Sequence, residues 1–241
     1  MGKLIVVCII YLLFGIPSIV CAQKINIYSE VLPPFQIVNK KNHDVSGSAT
    51  EKVKKIMAAA NIEAEFNIVP WARAFNTVKE KENTLIYSMH RSPEREPFFH
   101  WLAVVAQIKN GLVTLKKQHI KINSLEEAKT YVIAVSLDSY PYNYLKSKGF
   151  SEDKNLVVVT SRDTELNLFL SGKVDFLFAD LAFISEKLKT RNLSSELVEQ
   201  AYSQPDWTSD LYLAINKNSD ELLIQKIKKA ITIVEQTPPF K

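Results

Sequence analysis

Residues 84–96 read TLIYSMHRSPERE, in which an apolar stretch is followed at once by a strongly charged one. The first part, 84–88, is typical of a buried strand because it combines β-branched, aliphatic and aromatic residues. In the second part, Ser92 followed by Pro93 and Glu94 predicts the start of a helix, with the serine as its N-cap. The stretch therefore predicts a strand whose carboxyl end leads directly into charged residues.

Arg95 is the unusual residue of this charged segment. Near the start of the predicted helix it would place a cation at the positive end of the helix dipole. That position is favourable if an anion lies there too, held by the arginine fork and by free backbone N–H groups. The alternative is a surface arginine that pairs with Glu94 or Glu96.

The rest of the first half alternates strands and helices around this strand. Polar and apolar residues alternate along 24–28, and apolar residues recur at helical spacing over 53–60. Further strands are predicted over 64–68 and 84–88, with a helix over 71–78 between them. This βαβαβ order is typical of a mostly parallel sheet that is covered by helices.

A second unit of the same kind follows. Its strands are predicted over 131–136, 156–160 and 174–178, and its helices over 140–148, from Asp163 to about 171, and from Asp180 towards 189. A final strand, 211–215, and a long helix, 220–236, have no unit of their own. We expect them to pack on the first unit.

The predicted fold class is α/β, a clamshell of two lobes joined by two crossovers. We expect one lobe to comprise residues 23–108 and 211–241 and the other residues 109–210. The crossing points are expected near 106–111 and 197–210, where the pattern weakens. In such sheets ligands collect beyond the carboxyl ends of the strands. The sequence therefore predicts a binding site in the cleft between the lobes.

The first residues predict export. Lys3 precedes an apolar run over 4–14, and small residues lie near 20–22, as in a secretory signal peptide. The run is shorter than the about 20 residues that a membrane-spanning helix needs. We therefore expect residues 1–22 to be a cleaved signal peptide and the mature chain to be periplasmic. Attachment of a lipid to Cys21 is the alternative.

The composition narrows the classes of function. Both cysteines, Cys8 and Cys21, lie in the predicted signal peptide, so we expect no disulfide and no cysteine metal site. The net charge of +4 is spread over many lysines without a basic block, which makes nucleic acid a poor partner. The 4 histidines show no metal-ligand spacing, and the sequence has no phosphate-binding glycine loop or catalytic serine motif. We therefore expect no cofactor, no metal and no enzymatic activity.

Polar or aromatic residues follow several of the predicted strands. Trp71 opens the helix after the second strand, Arg95 follows the third, and Asp180 follows the last strand of the second unit. An arginine and an aspartate from opposite lobes, with an aromatic ring between them, suit a zwitterion, because they can bind its carboxylate and its ammonium group. Taken singly, Trp71 is also explained as a core residue of its helix and Asp180 as a helix N-cap.

Four short motifs carry a resemblance when they are taken in order. They are PPF at 33–35, PW at 70–71, SPERE at 92–96, and two aspartates in a Val-Asp-x-x-x-x-Asp pattern at 174–180. With them the chain resembles the bacterial extracellular solute-binding proteins of family 3, the periplasmic receptors of ABC importers for polar amino acids. The resemblance extends over essentially the whole mature chain. It implies a type II periplasmic binding fold, a small-molecule ligand and a membrane permease as partner.

The same resemblance implies roles for individual residues. Arg95 would bind the α-carboxylate of an amino acid, and Asp180 would bind its α-ammonium group. Trp71 would stack on the ligand, and Ser88 would offer a hydroxyl or backbone contact. Ser139 falls where the family usually has a Gly-Thr pair that binds the ligand from the second lobe.

The chain departs from the family pattern at three pocket positions. Asp138 stands where a glycine is usual, Leu32 where many relatives have tyrosine, and His90 where a small hydroxyl residue is expected. His90 and Arg91 beside Arg95 make this side of the site positive, which suggests a more acidic ligand. The alternative for His90 is a partly exposed residue with a satisfied hydrogen bond.

Three functions are compatible with the sequence. The first is a monomeric transport receptor whose lobes close on a small zwitterion and are then recognised by a permease. The second is a periplasmic enzyme on the same fold, similar to cyclohexadienyl dehydratase, in which His90 or Asp138 would be the candidate acid or base. The third is a sensing module that signals to a partner protein. We expect the transport receptor, because the residues that it requires are present.

Overall fold

The computed structural model describes residues 24–39 and 41–237. The predicted signal peptide, 1–22, and its two cysteines lie outside these residues. Within the described ranges, no helix is both long enough and apolar enough to cross a membrane.

The first part of the chain forms the expected alternation of strands and helices. Strand β1 places Ile25 and Ile27 in the core while Asn26 and Tyr28 are partly exposed, the alternation of a strand. The elements are β1 (Ile25–Ser29), β2 (Ile37–Val38), β3 (Val45–Ser46), α1 (Ser48–Ala59), β4 (Ala64–Ile68), α2 (Trp71–Glu80) and β5 (Thr84–His90).

The second part repeats this alternation and ends with a long helix. Its elements are β6 (Phe99–Leu115), β7 (Ile133–Ser136), α3 (Tyr140–Ser147), β8 (Leu156–Val159), α4 (Arg162–Leu170), β9 (Phe176–Asp180), α5 (Leu181–Lys189), β10 (Val198–Tyr202), β11 (Thr208–Asn216) and α6 (Glu221–Gln236).

Nine strands form one sheet in the order β4-β1-β5-β11-β6-β9-β7-β8, with β10 paired to β6. Strand β1 pairs in parallel with β4 and β5, and β7 pairs in parallel with β8 and β9. Strands β6 and β11 run antiparallel to each other between these two parallel groups. The carboxyl ends of β1, β4 and β5 in one half, and of β7, β8 and β9 in the other, lead into residues of the site described below.

Strand β6 connects the two halves and was not predicted. Residues 99–109 pair with β11, residues 110–113 pair with β9, and residues 112–115 pair with β10. The sequence pattern weakens near 106–111 because this one continuous strand changes its partners there. Buried and partly exposed residues alternate irregularly along it. The expected lobe boundaries at 108 and 211 stay a prediction.

Each half has its own hydrophobic core. In the first, α1 and α6 cover one face of the sheet, with Ile56 and Ile227 buried against Ile27 and Tyr87. The final helix thus lies on the first unit. In the second, Trp207 is buried against Phe178 and donates a hydrogen bond of 2.8 Å to the Tyr144 hydroxyl. Burial of this many large apolar side chains is the main stabilising contribution.

Two predicted helix starts are wrong. No α-helix begins at Ser92: β5 continues to His90, and a turn leads to one turn of 3₁₀ helix over Glu96–Phe98. The aromatic and β-branched residues that follow favour the strand β6 instead. Helix α4 is capped by Ser161, whose Oγ accepts the Thr164 N–H at 3.2 Å, and not by Asp163, which lies in its first turn. Arg162, the residue before Asp163, is therefore the first residue of helix α4.

Gly47 fixes the loop between β1 and α1. Its φ angle of 109° lies in a region that residues with a side chain rarely adopt. A Cβ atom added here would lie 2.5 Å from the Phe35 carbonyl oxygen and 2.7 Å from that of Pro34. The close approach of these backbone segments holds the Pro-Pro-Phe loop beside the cleft.

We therefore expect Gly47→Ala to lower the free energy of unfolding by more than about 1 kcal/mol, since both the backbone angle and the contact with two carbonyls oppose it. Urea denaturation measures this effect. Gly172→Ala is the matched control, because Gly172 also has a positive φ of 72° but nothing lies within 4 Å of an added Cβ. An equal loss of stability in the two variants would contradict the steric part of this explanation.

Candidate ligand-binding site

A cavity lies between the two halves of the sheet. It encloses about 450 Å³, including the part that is open to solvent. The residues around it stand at strand ends and helix starts from both halves. Those that matter below are Glu30, Trp71, Ser88 and His90 from the first half, and Asn110, Ser139, Tyr140, Arg162 and Asp180 from the second.

Of the six predicted site residues, five line this cavity and one does not. Trp71, Ser88, His90, Ser139 and Asp180 lie together in its wall, and their contacts with a ligand stay a prediction. Leu32, singled out as a departure from the family pattern, also lines the cavity. Arg95 is the residue that lies elsewhere.

Arg95 is buried next to the cavity instead of facing it. Its guanidinium donates to the His90 carbonyl at 2.8 Å and to the Asp138 carbonyl at 3.0 Å. The Trp71 and Phe75 rings lie 5.3 and 5.1 Å from its central carbon. Burial lowers the pKa of Arg95 to about 10, so the side chain remains charged at neutral pH. A buried guanidinium must satisfy its donors, and here two backbone carbonyls do so. The predicted contact of Arg95 with a ligand carboxylate stays a prediction.

Asp180 lines the cavity but also caps helix α5. Its Oδ1 accepts the N–H groups of Ala182 and Phe183 at 2.7 and 3.1 Å, and its Oδ2 accepts the Lys109 N–H at 3.0 Å. The N-cap interpretation therefore describes its geometry. Its proposed contact with an ammonium group stays a prediction.

Trp71 and Ser139 connect the cavity to the start of helix α3. The Trp71 indole N–H donates to the Asp138 carbonyl at 2.9 Å, across the gap between the two halves. Ser139 caps α3, because its Oγ accepts the Tyr142 N–H at 3.3 Å. Trp71 also belongs to the core around α2, so both interpretations of this residue hold.

His90 is a neutral, stacked residue of the cavity wall. Its ring lies 4.4 Å from that of Tyr140, with 16° between the ring planes, and its Nδ1 is 2.8 Å from the Ser209 Oγ. Burial, together with the positive charges of Arg95 and Arg162, lowers its pKa to about 3. His90 thus adds no positive charge at neutral pH. Arg91 is exposed and paired with Glu96 at 2.6 Å, so the expected positive side of the site is corrected.

Glu30 and Arg162 were missed by the sequence analysis. The Arg162 side chain donates to both carboxylate oxygens of Glu30 at 3.0 to 3.2 Å, and both side chains are largely buried. Burial alone would lower the pKa of Arg162, but the charges of Glu30 and Glu165 outweigh it and raise that pKa. Because the helix start was assigned to Asp163, Arg162 was overlooked; it directly follows the cap Ser161 and is the first residue of α4.

Asn110 was missed for a different reason, since it lies inside the unpredicted strand β6. It is 5% exposed, and Ser88, on the opposite side of the cleft, is 6% exposed. Within the described residues, neither the Asn110 Nδ2 nor the Ser88 Oγ has a hydrogen-bond partner. Buried polar groups without partners are uncommon and often mark a site for a ligand. By contrast, no group of three His, Cys, Asp or Glu residues in the described part of the chain could hold a metal ion.

The lowered pKa of His90 predicts a pH dependence of stability. In the unfolded chain the histidine pKa is about 6.5, against about 3 in the folded protein, so between these values the unfolded state binds more protons. The free energy of unfolding should fall as the pH is lowered through this range, by up to about 1.4 kcal/mol per pH unit. Chemical denaturation at several pH values measures the slope.

The control for this experiment is a comparison of two variants. His90→Gln should show a shallower slope between pH 6 and 4, whereas His43→Gln, at an exposed position, should keep the slope of the wild type. Identical slopes in all three proteins would show that His90 is not held neutral.

Solved structures share this fold at low sequence identity. A histidine kinase sensor domain with similarity to periplasmic binding proteins aligns with a TM-score of 0.77 and 15% identity, over 89% of this chain and 91% of that chain. The holo form of ArgBP from T. maritima gives 0.74 and 14%, over 89% and 91%. The arginine-, lysine-, histidine-binding protein ArtJ from Geobacillus stearothermophilus gives 0.74 and 16%, over 88% and 90%. The predicted fold class is thereby confirmed.

Sequence comparison gives the family. No curated protein sequence is significantly similar to the chain. The model of one protein family, however, matches residues 25–240, nearly the whole described structure. The resemblance inferred from the four short motifs is therefore confirmed. The chain belongs to the bacterial extracellular solute-binding proteins, family 3.

Proposed function

We propose that this protein is a periplasmic receptor that binds a small amino acid or related carboxylate and delivers it to the permease of an ABC importer. The observation that carries this proposal is the pair of unpartnered polar groups, Ser88 Oγ and Asn110 Nδ2, buried in a cavity between the two halves. An unsatisfied buried polar group costs about 1–3 kcal/mol. A polar ligand that bonds to both groups would offset this cost.

Contacts across the gap support binding by closure. Asp138, in the loop before α3, accepts hydrogen bonds from Trp71 and Arg95 of the other half. The ion pair between Glu30 and Arg162 also joins the halves. Strands β6 and β11 pass between the halves, so they are the natural place for a hinge. A ligand that adds contacts to both sides would favour the closed arrangement.

The proposed location and partners follow from the family. Extracellular solute-binding proteins act outside the cytoplasm, which is consistent with the expected signal peptide, and several relatives in fold are described as binding arginine, lysine or histidine. We propose that the mature protein is a monomer, that it binds its ligand without chemical conversion, and that its partner is a membrane permease.

A ligand-sensing function is the second candidate. The histidine kinase sensor domain aligns over most of both chains, so the same fold serves a protein of that kind. Sensing and transport share the ligand-binding step and differ in the protein that recognises the closed form. Co-purification with a permease or with a kinase would distinguish them.

We expect the purified mature protein to be stabilised by at least one amino acid or related carboxylate in a thermal-shift panel that also contains dicarboxylates and polyamines. A ligand at 100 times its dissociation constant should add about 2.7 kcal/mol to the free energy of unfolding. Asn110→Asp should weaken binding of any ligand whose carboxylate approaches this residue, because it replaces a donor with a negative charge. Calorimetric titration measures that loss.

The control variant is Asn218→Asp, which makes the same chemical change at an exposed position of the first half. It should leave the affinity unchanged. If no compound of the panel shifts the melting curve, the receptor function is wrong. Turnover of a cyclic carboxylic acid such as prephenate would instead favour the enzyme alternative.

A further inference from the structure

The ion pair between Glu30 and Arg162 occupies a special position in the cleft. Glu30 directly follows β1 in the first half, and Arg162 opens helix α4 in the second. Their side chains are 9% and 16% exposed, so the pair is shielded from water. The geometry is bidentate, with the Arg162 Nε and Nη2 both directed at the carboxylate. The pair is therefore a direct electrostatic contact between the two halves.

The pair also separates two cavities. The cavity described above has Glu30 and Arg162 in its wall, and a second cavity of about 500 Å³, including open solvent, has the same two residues in its wall. The rest of the second cavity is lined by four apolar residues, Val31, Ile68, Val69 and Pro70, and by the polar or charged residues Ser161, Asp163 and Lys187. The ion pair is thus common to the walls of both cavities.

The other charged groups near the cleft are already bonded to the protein. Arg95 donates to two backbone carbonyls and lies beside two aromatic rings. Asp180 accepts three backbone N–H groups. The bond from Arg95 to the Asp138 carbonyl crosses the cleft, and two of the bonds to Asp180 cap helix α5, but in both cases the partners are backbone groups. The bonds between Glu30 and Arg162 are different, because they join side chain to side chain, and ligand groups of matching charge can replace them one for one.

Glu165 keeps Arg162 in position when that exchange takes place. Its carboxylate lies 3.8 Å from the Arg162 Nη1 and accepts a hydrogen bond of 2.7 Å from the Ser136 Oγ. It is buried and belongs to the same helix as Arg162. Arg162 therefore keeps one anionic neighbour in its own half after Glu30 has moved away.

We infer that Glu30 and Arg162 are the charged groups that recognise the ligand, which inserts between them as a zwitterion. Its ammonium group replaces the guanidinium at Glu30, and its carboxylate replaces the glutamate at Arg162. This inference rests on the proposed receptor function and specifies its ligand class. It reverses the polarity expected from the sequence, since the anion of the site lies in the first half and the cation in the second.

The ligand's side chain would then extend into the second cavity. That cavity begins at the ion pair and offers apolar walls with one acidic and one basic residue, Asp163 and Lys187, which are 3.4 Å apart. An α-amino acid bound between Glu30 and Arg162 has its amino and carboxyl groups on one carbon, so a single opening of the pair accommodates both groups and directs the side chain away from them.

The test uses the mature protein with the 20 L-amino acids as probes, and with the decarboxylated amine and the desamino acid of each amino acid that binds. The wild type should prefer the amino acid to both analogues. Arg162→Gln should lose about 10- to 100-fold in affinity for the amino acid, since a hydrogen-bonded charge is removed, and should no longer distinguish it from the amine. Glu30→Gln should lose the distinction between the amino acid and the desamino acid. Calorimetric titration gives these ratios.

Three further variants make the result decisive. Removing one partner leaves a buried charge, so Glu30→Gln combined with Arg162→Gln serves as a variant without an unpaired charge; it should fold and have lost both preferences. Arg95→Gln should keep the preference for the amino acid over the amine, because Arg95 bonds backbone carbonyls. Arg91→Gln, an exposed residue paired with Glu96, controls for the loss of a positive charge.

The outcomes distinguish a failure of the assignment to Glu30 and Arg162 from a failure of the receptor function. If Arg95→Gln, and not Arg162→Gln, loses the preference for the carboxylate, the assignment to Glu30 and Arg162 is overturned while the receptor function stands. Binding of dicarboxylates alone also overturns the assignment and leaves the receptor function intact. If nothing binds in either panel, both are wrong.

Discussion

The pairing of β6 with β11 is the constraint on which the rest of this structure depends. Nine consecutive residues of β11 lie beside β6, and the same β6 goes on to pair with β9 and β10 of the other half. Because these hydrogen bonds run through both halves, they connect the two parallel groups of strands into one sheet. The carboxyl ends of β1 and β5 therefore face the cavity opposite those of β8 and β9, and the site needs no other scaffold.

The distribution of charge around the cavity follows from what burial demands of each group. A buried charge must be hydrogen-bonded or paired, and the chain uses three solutions. Arg95 is satisfied by backbone carbonyls, Asp180 by backbone N–H groups, and Glu30 with Arg162 by each other. His90 avoids the problem by remaining neutral. Of these three arrangements, only the pair of Glu30 and Arg162 leaves both charged side chains able to bind a ligand instead of each other. The position of a charged side chain in the fold therefore decides its role more than its presence in a sequence motif does.

Most of the fold could be predicted from the sequence, because strands and helices follow from local periodicity and from the order of elements. The long strand β6 could not, since its burial pattern changes where its partners change and no local signal records this. Five site residues were found because they stand at strand ends. The backbone contacts of Arg95 were not predicted, because a motif gives the residue type but not the direction of a side chain. Glu30 and Arg162 depend on a contact between residues 132 positions apart, which no short stretch can reveal.

The position of Trp71 has a consequence for how this protein can be observed. The chain has three tryptophans, and Trp101 and Trp207 each pack within one half, against Phe99 and Phe178 respectively. The indole of Trp71 is the one that bonds to the opposite half, through the Asp138 carbonyl. Indole fluorescence shifts to longer wavelength on contact with water, so separation of the halves would shift the emission of Trp71. The intrinsic fluorescence of the protein can thus report the opening of the cleft without an attached dye.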